Sequence, residues 1–506
     1  MMTTIDNILN RITMYRFITY LLVALVTYAT VLSYLHLLPF TPVALLISTG
    51  FLVIVCEAAN NILAKIFAVP ANVESSIITA LILALIIDPI KSVDDLQFLG
   101  WAAILAMSSK YIVSINNKHI FNPAALAVVI TSFALNQSAS WWVGTGNMLL
   151  PVAIGGFLMV RKVRQTPMVV AFLATALVGI TVASILQQTS VIQGLQQLVV
   201  VSPLVFFATV MLTEPLTAPP TTGLKVIYGA MIGVLILPQV HFGGLYSTPE
   251  LALVVGNVFA FIVSPKQRVV LTLRRRIKAT KAMVDFVFAP SQRLAFAPGQ
   301  YMEWTLAHQR PDARGNRRYF TIASSPTEEN VHLGVRFYDR SSSYKQAMYN
   351  MDARTPLHGA QIAGDFTLPR NRKRKLVFIA GGIGITPFRS MLKYLIDTQQ
   401  RRDIILFYAN KTANDIMYTD VLNEANRQLG ILTYYTLTDV PSIAPIWRGY
   451  RGRITEQMIR ASVPDYLERS FYLSGPPDMI TAYEQVLLSL GVQPRNIKKD
   501  FFPGLV

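Results

Sequence analysis

The residues Gly381-Gly382-Ile383-Gly384-Ile385-Thr386-Pro387 carry the plainest chemistry in the chain. An apolar run of strand type, 376–380, leads into the first glycine, and a helix is expected over 388–395. Glycines let a backbone approach a pyrophosphate, and the helix N-terminus behind them offers unpaired N–H groups and a positive dipole end. Three companions lie in order along the chain. Arg318-Tyr319-Phe320-Thr321 closes a strand, Ser341-Ser342-Ser343 opens a short helix at 344–348, and Ser474-Gly475-Pro476-Pro477-Asp478-Met479 follows a strand at 471–473. Ser342 and Ser343 can cap their helix, hold a second pyrophosphate at its N-terminus, or do both. The Gly-Pro-Pro run also reads as a simple turn.

Behind these motifs the chain changes composition sharply. Its 506 residues exceed one ordinary domain. With 52% hydrophobic and only 14% charged residues, it departs from soluble averages. Residues 17–264 form almost one apolar run, and charges crowd into 265–506. The expected organisation is a polytopic membrane domain over 1–265, a basic juxtamembrane linker over 266–281, a β-barrel over 282–368 and a nucleotide-binding α/β domain over 369–506. The linker carries Lys266, Arg268, Arg274, Arg275, Arg276, Lys278 and Lys281. Beside a membrane such a run meets anionic headgroups, so the net charge of +17 gives no sign of nucleic-acid binding. The single cysteine, Cys56, sits in an apolar stretch and reads as a buried small hydrophobe; one thiol can hold neither an intrachain disulfide nor a Cys-ligated cluster. No metal site and no cleavable signal peptide are expected.

Ten apolar segments read as spans: 17–38, 43–67, 74–90, 97–115, 122–138, 147–163, 167–186, 196–213, 223–239 and 249–264. With the N-terminus inside, internal loops hold Arg11, Arg16, Lys65, Lys110, Lys118, Arg161, Lys162, Arg164 and Lys225, and external loops hold only Lys91. That asymmetry follows the positive-inside rule, and ten spans return the C-terminus to the cytoplasm. Two spans end alike, at Ile87-Asp88-Pro89 and Thr213-Glu214-Pro215, five spans apart, which fits either two repeats with broken helices or ordinary helix ends. Asp88, Glu57 and Glu214 are the acidic candidates for ion coupling, and equally for packing. His36, His119 and His241 are isolated, so paired haem ligands are not in view.

Asn122-Pro123-Ala124-Ala125, Phe207-Ala208-Thr209, Glu214-Pro215 and Thr221-Thr222-Gly223 resemble the NqrB/RnfD family of membrane proteins, found in the sodium-pumping NADH:quinone reductase and in the Rnf complex, over roughly 70–264. The resemblance implies electron conduction through the bilayer by flavins, with FMN or riboflavin as additional cofactor. Many members carry FMN on a Thr in a Ser-Gly-Ala-Thr motif. That motif is absent here, and Thr145 is the only threonine in the comparable loop, about 136–146.

The second half is similar to the ferredoxin–NADP reductase superfamily over about 268–506. Its fold implies an antiparallel β-barrel holding FAD, followed by a doubly wound parallel sheet for NADH or NADPH. The resemblance assigns Arg318 to a flavin phosphate, the aromatic pair Tyr319 and Phe320 to the flavin ring region, and the Thr321 hydroxyl to flavin N5. Phe320 replaces the family's usual Tyr and keeps the stacking face. Ser342 and Ser343 take the flavin pyrophosphate. Gly381, Gly382, Gly384, Thr386 and Pro387 take the nicotinamide dinucleotide, as do Gly475, Pro476, Pro477 and Met479. Ser474 stands where the family has a Cys near nicotinamide C4. Phe501 or Phe502 is expected to shield the flavin. The segment Asn410-Lys411-Thr412 offers one Lys and no Arg cluster for a 2′-phosphate, which favours NADH.

Together these expectations describe a multi-pass cell-membrane flavoprotein with both termini cytoplasmic. It passes electrons from NAD(P)H through FAD into a membrane core, towards a quinone or an external electron-accepting protein. The alternatives are a membrane-tethered reductase of a soluble partner, a redox-regulated transporter and a haem-containing ferric reductase.

Overall fold

The computed structural model describes residues 9, 12–67, 73–115, 118–264, 268–278, 280, 282–309, 311–312, 315–339 and 341–500. Arg11, Lys266, Lys281, Phe501 and Phe502 fall outside them. The chain separates into two compact units that part between Pro265 and Lys266.

The first unit is helical. Its helices are α1 (Met14–Tyr34), α2 (Pro42–Ile66), α3 (Val73–Ile86), α4 (Asp95–Ile112), α5 (Pro123–Leu135), α6 (Gly146–Val163), α7 (Thr166–Leu186), α8 (Val191–Val201), α9 (Leu204–Met211), α10 (Thr222–Leu235) and α11 (Pro249–Val263). Each of the ten apolar segments is helical, the eighth being the pair α8 and α9, bent by 60°. Among the described residues, four helices (α1, α2, α6 and α7) are long and apolar enough to cross a membrane, or five spans if the bent pair is one. Helices α3, α5, α10 and α11 are shorter, and 14 residues reach only about 21 Å against about 30 Å of hydrocarbon. The starts are set locally: Thr41, Asn122 and Thr248 each accept a hydrogen bond from the backbone two or three residues into the helix, with Pro at the first helical position. Two hairpins, β1 (Ser114–Ile115) with β2 (Lys118–His119) and β3 (His241–Phe242) with β4 (Leu245–Tyr246), precede α5 and α11. Ile54, Ile66, Val178 and Leu186 point outward and stay exposed, as lipid-facing residues do.

Small residues bring α10 against α7. A Cβ on Gly229 would lie 2.3 Å from Met168 O, and one on Gly233 would lie 2.0 Å from Thr175 Oγ1 and 2.5 Å from Phe172 O. Spaced four apart, the two glycines allow backbone contact where a larger residue would part the helices.

In the second unit six strands form an antiparallel sheet: β5 (Val269–Lys278), β6 (Met283–Pro290), β7 (Tyr301–Leu306), β8 (Arg317–Thr321), β9 (Val331–Arg336) and β10 (Leu357–Ala363), in the order β8-β7-β10-β5-β6-β9. The sheet curls until its edges meet, where Ala323 N, just past β8, donates to His332 O on β9 (2.9 Å). Strand β5 falls inside the stretch that composition assigns to a basic linker. Its first residues alternate buried Val269, Leu271 and Leu273 with exposed neighbours, and the arginines occupy outward positions of a paired strand. Strand alternation is masked in the sequence by the charge of Arg274, Arg275 and Arg276.

The rest is a parallel sheet of β11 (Leu376–Gly381), β12 (Ile404–Asn410), β13 (Leu432–Leu437), β14 (Tyr450–Arg451), β15 (Ser470–Ser474) and β16 (Ile497–Lys499), in the order β14-β13-β12-β11-β15-β16. Helix α12 (Ser343–Asn350) precedes it, and α13 (Thr386–Asp397), α14 (Thr419–Leu429), α15 (Glu456–Ser462) and α16 (Pro477–Ser489) cover its faces. Phe378 packs with Phe388 and Val421 on one face, while Ile379 packs with Ile459 and Leu487 on the other. A strand buried on both sides needs the unbroken apolar run that β11 has.

Overpacking should expose the glycine contact. Gly233→Leu is expected to cost about 1–3 kcal/mol, seen as a lower melting temperature in detergent. Gly223→Leu, where nothing lies within 4 Å of the added Cβ, should melt like the parent; equal losses in both would contradict the close approach.

Candidate active site

The glycine-rich loop lies at the carboxyl end of the central strand β11, where doubly wound sheets bind nucleotides. Gly382 has φ +52, the left-handed turn that starts a 3₁₀ segment (Gly382–Ile385) before α13. Beside it β15 ends at Ser474, paired with Ala380. The two motifs touch: a Cβ on Gly384 would lie 2.3 Å from Ser474 O, and one on Gly381 would lie 2.2 Å from Met479 Sδ. Pro387 sits at the first turn of α13 and Pro476 caps α16, with Pro477 as its first residue. Thr386 is nearly buried, and its hydroxyl donates to Ile383 O (3.2 Å), which braces the loop. Ser474 is buried, and its Oγ donates to Asp500 Oδ2 (2.8 Å). No sequence signal marked Asp500, because the pair closes only when β15 and β16 align.

The other two motifs also meet. Arg318 Nη2 lies 2.9 Å from Asp312 Oδ1, and its guanidinium stacks 5.0 Å from the Tyr344 ring centre. Asp312 N in turn donates to Ser343 Oγ (2.8 Å), and His308 Nε2 lies 3.1 Å from the same oxygen. Ser342 caps α12 by accepting from Lys345 N (3.3 Å). So Arg318, Ser342 and Ser343 converge at one helix N-terminus. Burial pushes the Tyr344 hydroxyl far above its ordinary range, with Arg318 pulling the other way, and the neutral group donates to Trp304 O (3.0 Å). Along β8 the side chains alternate. Phe320 faces Tyr344 at 6.2 Å, while Tyr319 turns to the opposite side and donates to Glu303 Oε2 (3.1 Å). Thr321, which ends the strand, is buried.

Three further groups escaped sequence reasoning. Arg336, at the end of β9, reaches the glycine-rich loop, its Nη1 3.5 Å from the Cβ position of Gly382. Lys345 Nζ donates to Arg336 O (2.7 Å) and so fixes the end of β9 from which the Arg336 side chain extends. Arg389, on α13, grips Glu328 in the loop after β8 through both terminal nitrogens (Nη2 to Oε1 2.8 Å) and donates to Ala323 O (3.1 Å). Burial works against the Arg389 charge, but the Glu328 carboxylate outweighs it and raises the pKa.

These residues fit a flavin dinucleotide and a nicotinamide dinucleotide. A guanidinium held by one carboxylate next to a helix N-terminus is an anion subsite, and at the second motif Gly381 and Gly384 let the loop pack directly on Met479 and the Ser474 carbonyl, leaving the turn at Gly382 and the start of α13 as the place for a second pyrophosphate. In the first unit Thr145 Oγ1 is buried, with no hydrogen-bond partner among the described residues. Among them, no group of three or more His, Cys, Asp and Glu is placed to hold a metal.

Residues 378–485 match the oxidoreductase NAD-binding domain, and residues 143–269 match the NQR2, RnfD, RnfE family. The second match covers α6 to α11. The chain is 26% identical over 231 residues to the glycine betaine monooxygenase reductase subunit of Pseudomonas aeruginosa, covering 45% of this chain and 62% of that one. It is 27% identical over 207 residues to a stachydrine N-demethylase reductase subunit of Rhizobium meliloti (40% and 58%), and 23% identical over 236 residues to the flavohemoprotein of Bacillus subtilis (46% and 58%). The chain thus spans about three-fifths of the length of these relatives.

The motif geometry separates two functions by mutation. Arg318→Ala should lose most of its flavin on purification. Gly384→Val should keep its flavin but raise the NADH KM at least about tenfold, since a side chain there meets the Ser474 carbonyl; flavin release on denaturation and steady-state kinetics check both. By these matches and this geometry, the chain carries a domain of the NQR2, RnfD, RnfE family and, after it, an oxidoreductase NAD-binding domain.

Proposed function

We propose that this protein is a membrane-bound NAD(P)H oxidoreductase that uses FAD to feed electrons into a helical membrane unit and on to a quinone or an external acceptor. The observation that carries it is the pairing in one unit of the Arg318–Ser343 anion site with the Gly381–Ser474 cradle, in a chain whose other unit matches a family of membrane proteins. In this reading the ten helical segments all belong to a bilayer-embedded domain, with both termini cytoplasmic.

Bound FAD accepts a hydride and can release its electrons singly. The protein's part is placement. Arg318 and the α12 N-terminus hold the flavin diphosphate, and Phe320 offers an apolar face to the ring. The Gly381–Gly384 backbone, with Arg336 beside it, holds the nicotinamide diphosphate. Ser474 replaces the family's thiol by a hydroxyl tied to Asp500, so it positions the nicotinamide without a titrating sulfur. NADH is the favoured donor. At the carboxyl ends of β12 and β13 stand Lys411 and Asp439, and the Asp439 carboxylate opposes a 2′-phosphate. A second flavin, as FMN or riboflavin, is the expected carrier in the membrane unit. The names of the relatives as reductase subunits favour one other reading, delivery of electrons to a soluble protein.

An anaerobic NADH titration of detergent-purified protein, with total flavin measured after denaturation, tests this. More than one flavin per chain, all bleached by NADH faster than by NADPH, is expected. A single FAD, bleached by NADH with no second redox group in the preparation, would favour the soluble-partner reading instead.

A further inference from the structure

Helix α2 carries an acidic candidate that the cofactor sites leave unused. The helix runs 25 residues, from Pro42 to Ile66, so Ile54 is its middle. Glu57 lies about 4.5 Å along the axis from that point, and Asn61 about 10 Å. Half the hydrocarbon thickness is about 15 Å, so a bilayer centred on α2 holds both groups within its apolar layer. Lys65, the next cation on the helix, stands two turns beyond Glu57.

The two faces of α2 differ in kind. Leu45, Ser48, Leu52, Cys56, Asn60 and Ala64 are buried, and Asn60 Oδ1 accepts from Tyr111 OH (2.7 Å) on α4. That face is settled within the unit. On the other side Gly50, Ile54, Ala58 and Asn61 are exposed, with Glu57 partly buried at their margin. A Cβ on Gly50 would meet nothing within 4 Å. Neither Glu57 nor Asn61 has a side-chain hydrogen bond or ion pair among the described residues. Of the four long apolar helices α2 also has the least cover: 22% of its apolar stretch is buried, against 39% in α1, 44% in α6 and 28% in α7.

Hydrocarbon offers no hydrogen-bond partner, so a carboxylate and an amide at that depth must face protein or water. Positions 50, 57 and 61 are seven and four residues apart, so on a helix of about 3.6 residues per turn they fall along one line. A glycine notch, a carboxylate and an amide on one line make a seam for another helix. An apolar partner would leave both polar groups unpaired. A copy of the same seam satisfies them. An amide holds two N–H donors and an acceptor, so Asn61 matches an identical amide and keeps one N–H for a carboxylate a turn away. Two copies related by an axis along the membrane normal bring equal heights together. Glu57 lies about 40° round the helix from Asn61, so the two carboxylates flank the crossing instead of meeting on its axis.

We propose that α2 is the seam of a homodimer within the membrane, packed along Gly50 to Asn61, with Asn61 pairing with Asn61 of the partner subunit and donating to Glu57 of the partner subunit. The inference rests on α2 lying in a bilayer, as proposed above. Each chain keeps its own cofactor sites, so pairing is a property of the membrane unit alone.

The test uses the full chain with Cys56→Ala, so that added thiols report alone. Ile54→Cys lies on the seam, and Val178→Cys, on the exposed side of α7, does not. Oxidation in native membranes should cross-link Ile54→Cys into a dimer of this chain and leave Val178→Cys monomeric. In detergent, light scattering across a range of detergent-to-protein ratios should show dissociation about tenfold easier in Asn61→Leu and in Gly50→Leu. FAD content and its bleaching by NADH should stay as in the parent. Gly50→Leu decides the matter if Asn61→Leu does not fold, because its side chain enters open space in the single chain. Equal cross-linking at both thiols, a monomer at every ratio, a different protein captured by Ile54→Cys, or parent-like dimers in both leucine variants would overturn the proposal. Reaction of Ile54→Cys with a charged maleimide in opened membranes would instead overturn the bilayer placement of α2.

Discussion

The second unit depends on the grip of Arg389 on Glu328. Arg389 belongs to the helix that the glycine-rich loop opens, and Glu328 to the loop that leaves the Arg318–Thr321 strand. One buried guanidinium therefore ties the helix behind the glycine-rich loop to the loop after β8, the two segments proposed to hold the nicotinamide and the flavin. Hydride transfer needs two rings at near contact, and a displacement of an ångström costs rate steeply. The tie is reinforced by Ser390 Oγ donating to Ser324 O (2.6 Å) and by Tyr418 OH donating to Asp285 Oδ1 (3.1 Å), while Asp285 also faces His332 at 2.8 Å. Removing one partner of a buried pair costs about 3–5 kcal/mol because the other charge is stranded. The arrangement therefore holds geometry more firmly than a hydrophobic contact of the same area, which could slide.

The sequence was most readable where function and local structure share the same residues. Gly381 to Pro387 ends a strand, packs closely on Ser474 and Met479 and begins a helix, and the proposed phosphate site would use the same residues, so the pattern is contiguous. Ser342 is both a helix cap and a candidate ligand. Asn122 and Thr248 announce their helices by a capping side chain followed by proline, and helix placement followed from composition alone. What stayed hidden were the partners. Asp312 for Arg318, Asp500 for Ser474 and Glu328 for Arg389 are chosen by how strands stack, and no spacing in one chain reveals them. The strand at 269–278 was lost for a different reason: the outward arginines of a half-buried strand look like a linker when only charge is weighed.

Helix length in the first unit carries a separate lesson. Hydropathy finds apolar residues but not where a helix stops. The segment at 74–90 looks long enough to span, yet its helix ends at Ile86, just before Asp88-Pro89, where proline has no N–H to extend it, and Trp141 and Trp142 take carbonyls left at that end. The eighth segment breaks at Ser202-Pro203, where proline removes a donor and turns the chain by 60°. Broken and shortened helices place polar backbone inside an apolar unit, which is tolerated only where protein or a ligand satisfies it.

Buried charge follows one rule in both units. Lys110 is held by Ser75 and Thr79, and it lines the same small cavity as Glu214. Arg389 is surrounded by Glu328 and the Ala323 carbonyl. In neither place would ionic groups be retained for stability alone, since well-packed apolar residues often do as well. Their cost is reasonable where a field must exist before a ligand arrives. A preset dipole or ion spends no reorganisation energy when charge moves onto a bound group. In the proposed reading the reductase unit applies this to two diphosphates through Arg318 and backbone N–H groups, while the Arg389 charge is already matched by Glu328 and serves to hold the loops together.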